Sequence, residues 1–118
     1  MAFIGFVKKL NSELIKKLVY INQEIVCEDE EIVYFEVCGI VLNHSIFEFE
    51  ICDFYGTFKV KKAAKLEIKQ NGSFIFKIKP YFRDDKIELY CKDYRSVTIY
   101  EEMAFNLELK ALLEIQNL

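Results

Sequence analysis

Residues 45–62 read SIFEFEICDFYGTFKVKK. Apolar and polar side chains alternate on both sides of Asp53-Phe54-Tyr55-Gly56, the pattern of two half-buried strands joined by a turn. A four-residue loop over 53–56 sets Ile51 opposite Phe58 and Phe49 opposite Val60. The same register sets Glu50 opposite Lys59 and Glu48 opposite Lys61. One face is then wholly apolar and the other is made of opposite charges, and a slip by one residue would destroy both.

Working outward toward the C-terminus, the run 57–69 keeps one parity through Phe58, Val60, Lys62, Ala64, Leu66 and Ile68. It reads as one long bent strand that changes partner midway. A bulged hairpin across Gln70-Asn71-Gly72 sets Ile68 opposite Phe74 and Leu66 opposite Phe76. The runs 73–82 and 86–92 join across Arg83-Asp84-Asp85-Lys86, so that Phe82 meets Ile87, Pro80 meets Leu89 and Ile78 meets Cys91. A further turn over 92–96 brings Leu89 to Ile99 and Cys91 to Val97, with 95–101 as the next strand. The tail 101–116 is rich in helix formers. Yet Met103, Phe105, Leu107, Leu109, Ala111, Leu113 and Ile115 all stand on odd positions. That spacing makes one clean face at strand period and scatters around a helix, so it predicts an eighth strand.

Toward the N-terminus, 32–42 and 19–27 are also rich in Val, Ile, Phe and Tyr. Residues 3–18 differ. Phe3, Val7, Leu10, Leu14 and Leu18 recur at helical spacing, and Asn11 or Ser12 is placed to cap a shorter helix starting there. The expected architecture is mainly β, a single domain over 1–118. A helix (3–18) precedes an antiparallel meander of eight strands (19–116), forming a barrel or a strongly curved sheet packed on the helix. Closure of 105–115 onto 19–27 would hide the edges. Phe47, Phe49, Phe58, Phe74, Phe76, Leu89 and Phe105 are the expected inward set.

Hydrophobic residues make up 53% of the 118-residue chain and charged residues 30%, which excludes intrinsic disorder. The net charge of -3 argues against a globally basic nucleic-acid binder. Arg83 and Arg95 are the only arginines, so bidentate base readout is poorly supplied. No stretch approaches a membrane span, and the short apolar start is followed by lysines, unlike a secretory signal. The chain is expected to be soluble and cytoplasmic. Cys27, Cys38, Cys52 and Cys91 form no Cys-x-x-Cys pair and are expected to stay as buried thiols without disulfides. No metal or cofactor is expected.

No phosphate loop, dinucleotide fingerprint or nucleophile elbow occurs. His44, the only histidine, falls in a turn without an evident nucleophile. Glu28-Asp29-Glu30-Glu31 and Asp84-Asp85 read as solvated turns. The lysines Lys59, Lys61, Lys62, Lys65 and Lys69 look like a basic stripe, but two of them face glutamates. An enzyme is therefore not expected.

The most suggestive surface is the polar-parity face of the last strands. There Tyr81 lies opposite Glu88, Lys79 opposite Tyr90 and Lys77 opposite Lys92, with Tyr100 near Glu88. Tyr81, Tyr90, Tyr100, Lys77, Lys79 and Lys92 would share that face, and Phe54 and Tyr55 stand at a hairpin tip. Tyrosines with apolar bodies and polar tips suit protein interfaces. The first expectation is thus a small interaction module: an inhibitor, immunity or accessory factor, binding a protein partner or a second copy of itself. The Ile, Lys, Glu, Phe and Tyr bias fits an AT-rich genome, such as that of a phage or mobile element. A barrel carrying a small apolar ligand is the alternative. Single-stranded nucleic-acid binding through the tyrosines is a further one.

Overall fold

A computed structural model describes residues 8–62, 66–68 and 72–116, with side chains through residue 111. Its elements are β1 (Lys8–Lys9), α1 (Ser12–Ile15), β2 (Val19–Ile21), β3 (Glu24–Cys27) and β4 (Glu30–Glu31). The larger strands β5 (Phe35–Leu42), β6 (Glu48–Asp53), β7 (Gly56–Lys62), β8 (Phe74–Arg83) and β9 (Lys86–Ser96) follow, and α2 (Ile99–Gln116) ends the chain.

The architecture is mostly β, as expected, with a curved sheet that closes. The larger strands run in the order β5-β6-β7-β9-β8, and β8 pairs back onto β5. The β6–β7 hairpin has the expected register, with Glu48 opposite Lys61, Phe49 opposite Val60, Glu50 opposite Lys59 and Ile51 opposite Phe58. The β8–β9 hairpin also matches at Ile78–Cys91, Pro80–Leu89 and Phe82–Ile87. Asp84 and Asp85 form its turn with φ of 52° and 60°, and Glu28 and Asp29 turn β3 into β4 with φ of 49° and 69°. Asp tolerates this left-handed region better than most residues.

The connectivity differs from a simple meander. β7 pairs in parallel with β9 (Lys61 with Tyr90), and β5 pairs antiparallel with β8 from Phe35–Ile78 to Gly39–Phe74. These two pairings close the barrel, not 105–115 on 19–27. β5 and β6 approach so closely at Gly39 that a Cβ there would lie 2.4 Å from the Cys52 carbonyl oxygen.

The tail is a second correction. Residues 99–116 form a helix, and β9 runs on through Ser96 where a turn and a new strand were expected. Thr98 and Glu101 exchange hydrogen bonds, Glu101 N to Thr98 Oγ1 and Thr98 N to Glu101 Oε1, both at 3.2 Å. This is a capping box, Thr-x-x-Glu, which starts a helix. The closed barrel leaves no edge for an eighth strand, so the helix-forming composition prevails. α2 packs on β5 and buries Phe105 and Leu109, four residues apart, while Met103 and Leu107 remain exposed.

The N-terminal helix is shorter than expected. Asn11 caps α1 by accepting a hydrogen bond from Leu14 N at 2.9 Å, and Leu10, Leu14 and Leu18 are all buried. Phe3 and Val7, together with Lys65, Lys69, Gln70 and Asn71, lie outside the described residues. The expected hairpin across 70–72 does not form as read: β7 ends at Lys62, residues 66–68 are not strand, and Phe74 and Phe76 pair with Gly39 and Val37 of β5 in place of Ile68 and Leu66. With Ile25, Cys27 and Ile32, the leucines belong to the same continuous core as Val37, Phe49, Ile51, Val60, Phe74, Phe76, Ile78 and Cys91. Phe47, expected inside, is 79% exposed. No helix among the described residues is long and apolar enough to cross a membrane.

Candidate functional site

Strand alternation carries Lys77, Lys79 and Tyr81 to the outer side of β8, opposite in parity to the buried Phe76 and Ile78. On β9 the same rule carries Glu88 and Tyr90 outward, with Tyr81 paired to Glu88 and Lys79 to Tyr90 as expected. The register then shifts between Lys77 and Ile78, so that Ile78 pairs with Cys91 but Lys77 pairs with Asp93. Lys77 therefore does not face Lys92. Lys92 is the extra residue of a β-bulge, and its ammonium reaches back over two rings, 5.2 Å from Tyr81 and 5.8 Å from Tyr90.

The result is an interleaved ladder. Lys77 lies 4.7 Å and Lys79 5.2 Å from the ring centre of Tyr34, and Lys79 lies 5.1 Å from that of Tyr81. Tyr81 and Tyr90 meet edge to face at 5.1 Å. Lys61 of β7 stands 5.8 Å from the Tyr90 ring and pairs with Glu88 at 3.2 Å. The Tyr90 hydroxyl donates to the same carboxylate at 3.2 Å. Lys61, and then Tyr90, hold the Glu88 carboxyl below its usual range. The Lys92 ammonium, helped by Lys79, lowers the Tyr81 phenol. Among the described residues Lys77, Lys79 and Lys92 have no carboxylate within ion-pair distance, so their charge faces outward.

Not all expected site residues join this ladder. Tyr81, Tyr90, Lys77, Lys79 and Lys92 do. Tyr100 does not: it lies in the first turn of α2, 79% exposed, off the sheet face. Phe54 and Tyr55 form the exposed tip of the β6–β7 hairpin. Tyr34 and Lys61 were missed, because they enter through the β5–β8 and β7–β9 pairings. Ile46 and Phe47 were missed as well. Ser45 accepts from Glu48 N at 3.1 Å and donates to Glu48 O at 2.9 Å, a tight turn that leaves both apolar side chains outside. His44 sits in this loop, with Lys62 Nζ 3.1 Å from its Nε2.

The chemistry available is that of binding. Half-buried rings offer π-faces, and free ammonium groups offer charge to an anionic chain.

The fold has close counterparts among solved structures. A chain from a replication protein A heterotrimer bound to single-stranded DNA superposes with a TM-score of 0.73 at 17% identity, over 94% of this chain and 98% of that one. A chain of yeast RPA bound to single-stranded DNA gives 0.72 at 13% identity, over 94% and 92%. At such identities the likeness shows the fold, a five-stranded closed barrel of the OB type. The expected protein-interaction module, with nucleic acid set aside, is corrected here: the chains that share this fold come from assemblies bound to single-stranded DNA. The bulk acidity that suggested otherwise does not describe the local face, where lysines collect. No curated protein matches the chain. A family model, ECU03_1140, matches residues 35–112, from the start of β5 into α2, and the chain belongs to that family.

Proposed function

We propose that this protein binds single-stranded nucleic acid across the outer face of β7, β9 and β8. The observation that carries this reading is the ladder of Tyr34, Tyr81 and Tyr90 interleaved with Lys61, Lys77, Lys79 and Lys92. Bases stack on the rings, and the lysines neutralise the phosphates between them. Lys61 exchanges Glu88 for a phosphate. The likeness to chains from DNA-bound assemblies supports the same reading. The protein acts by binding and not by chemistry. Its four free thiols fit a reducing compartment such as the cytoplasm.

Fluorescence anisotropy with a labelled oligothymidylate tests this. Four neutralised phosphates give a slope of log affinity against log salt of about -3. Tyr81→Ala and Tyr90→Ala each weaken binding about tenfold, the cost of one lost base stack. Their circular dichroism stays that of the parent. Absence of binding, or a slope near zero, refutes the reading.

A further inference from the structure

Beside the ladder, the bulge opens a cleft of about 110 Å³ lined by Glu36, Ile75, Lys77, Asp93, Tyr94 and Arg95. Three of these stand in one row across three strands, Glu36 paired with Lys77 and Lys77 with Asp93. The row looks like a lysine shared between two carboxylates, but it is not. The Lys77 ammonium turns to the Tyr34 ring, 4.7 Å away, and makes no ion pair with either acid. Arg95 is held by Glu101 at 2.8 Å. Asp93 Oδ1 accepts from Tyr94 N at 2.8 Å. The Glu36 carboxylate and Asp93 Oδ2 have no hydrogen-bond donor among the described residues. The cleft thus holds two acids and two bases, which cancel in charge. Arg95 is engaged by Glu101 and the Lys77 ammonium is turned to the Tyr34 ring, so the acceptors of the two acids are left free.

At about 30 Å³ per water the cleft holds three or four waters, far too little for a cofactor but enough for the edge of one base. It adjoins the ladder through Lys77, which touches both. We propose that this cleft is a base-recognition subsite that selects cytosine over thymine or uracil. This inference rests on the nucleic-acid reading above and adds sequence preference to it. Free carboxylate acceptors suit the exocyclic amine of cytosine. Thymine and uracil present a carbonyl at that position, which two carboxylates repel.

The test compares an oligothymidylate of about 12 nucleotides, within the span of one OB barrel, with the same oligomer carrying one central cytidine. The cytidine oligomer binds about tenfold tighter. Glu36→Ala, whose side chain makes no hydrogen bond among the described residues, lowers that ratio by about threefold or more. Tyr81→Ala weakens both oligomers alike and leaves the ratio in place. Equal binding of the two oligomers overturns the cleft's role and leaves the ladder standing. A preference unchanged in Glu36→Ala overturns its assignment to this cleft. Binding to neither oligomer refutes the nucleic-acid reading itself.

Discussion

Removing the carboxylate of Asp53 should detach the N-terminal segment from the barrel. Asp53 ends β6, and its side chain answers four donors. Oδ2 accepts from Ser12 N at 2.7 Å, and Oδ1 accepts from Ser12 Oγ at 2.7 Å, Tyr55 N at 2.8 Å and Gly56 N at 3.0 Å. The bonds do not weigh equally. Ser12 is 1% exposed, so its N–H and hydroxyl cannot turn to water when the carboxylate is lost. Two buried donors left unsatisfied cost about 1–2 kcal/mol each. Tyr55 N lies in an exposed turn and rehydrates. Asp53→Ala therefore loses about 2–4 kcal/mol, a large part of a typical domain's stability. Ser12→Ala loses only about 1 kcal/mol, because Asp53 keeps its three backbone donors. In the Ser12→Ala background, Asp53→Ala costs about 1 kcal/mol less than in the parent, the signature of a direct contact. Urea unfolding followed by circular dichroism measures all four proteins, with the slope unchanged if the unfolded states match. A loss below about 1 kcal/mol for Asp53→Ala, or strict additivity with Ser12→Ala, would refute the clamp.

Two further stability predictions follow from the barrel wall and its interior. Gly39→Ala places a methyl 2.4 Å from the Cys52 carbonyl oxygen and 3.0 Å from Ile51 Cγ2, so β5 and β6 must part. It should cost about 3 kcal/mol, and an unchanged melting temperature would contradict the close approach. Burial pushes the Cys91 thiol from 9.0 up to about 12, so the folded state keeps a proton that the unfolded state releases. Stability from this group is intact below pH 9 and falls by about 4 kcal/mol as the pH rises from 9 to 12. Burial pushes Cys38 up to about 12 as well, so Cys91→Val should make that alkaline decline in melting curves shallower without abolishing it, and an equally steep decline would remove the Cys91 thiol as a cause.

The strands and two hairpins were legible because their information is local. Glu48, Glu50, Lys59 and Lys61 fix a register between neighbours in the chain, since a one-residue slip would turn Phe49 and Ile51 to water. Asp84 and Asp85 likewise mark their own turn. The helix signal at the tail was local too. Thr98 and Glu101 stand at capping-box spacing, but the odd-numbered apolar residues from Met103 to Ile115 hid it. Among the residues of α2 whose side chains are described, only Phe105 and Leu109 are buried, while Met103 and Leu107 stand exposed on the same parity, so the odd-numbered spacing did not report the buried face.

Sequence alone therefore determined which segments of the barrel alternate, the β6–β7 and β8–β9 hairpins, and that tyrosines and lysines share the outer face of β8 and β9. The tertiary structure decided how that face is completed. Lys61 reaches Tyr90 only because β7 lies parallel to β9, and Tyr34 reaches Lys77 and Lys79 only because β8 returns to β5. Those pairings join residues far apart in the chain, and their hydrogen bonds are between backbones, which carry no side-chain code. The bulge that brings Lys92 over the rings and opens the cleft at Asp93 is of the same kind. It relieves the curvature of a closed barrel, a demand that no strand makes until all five have met.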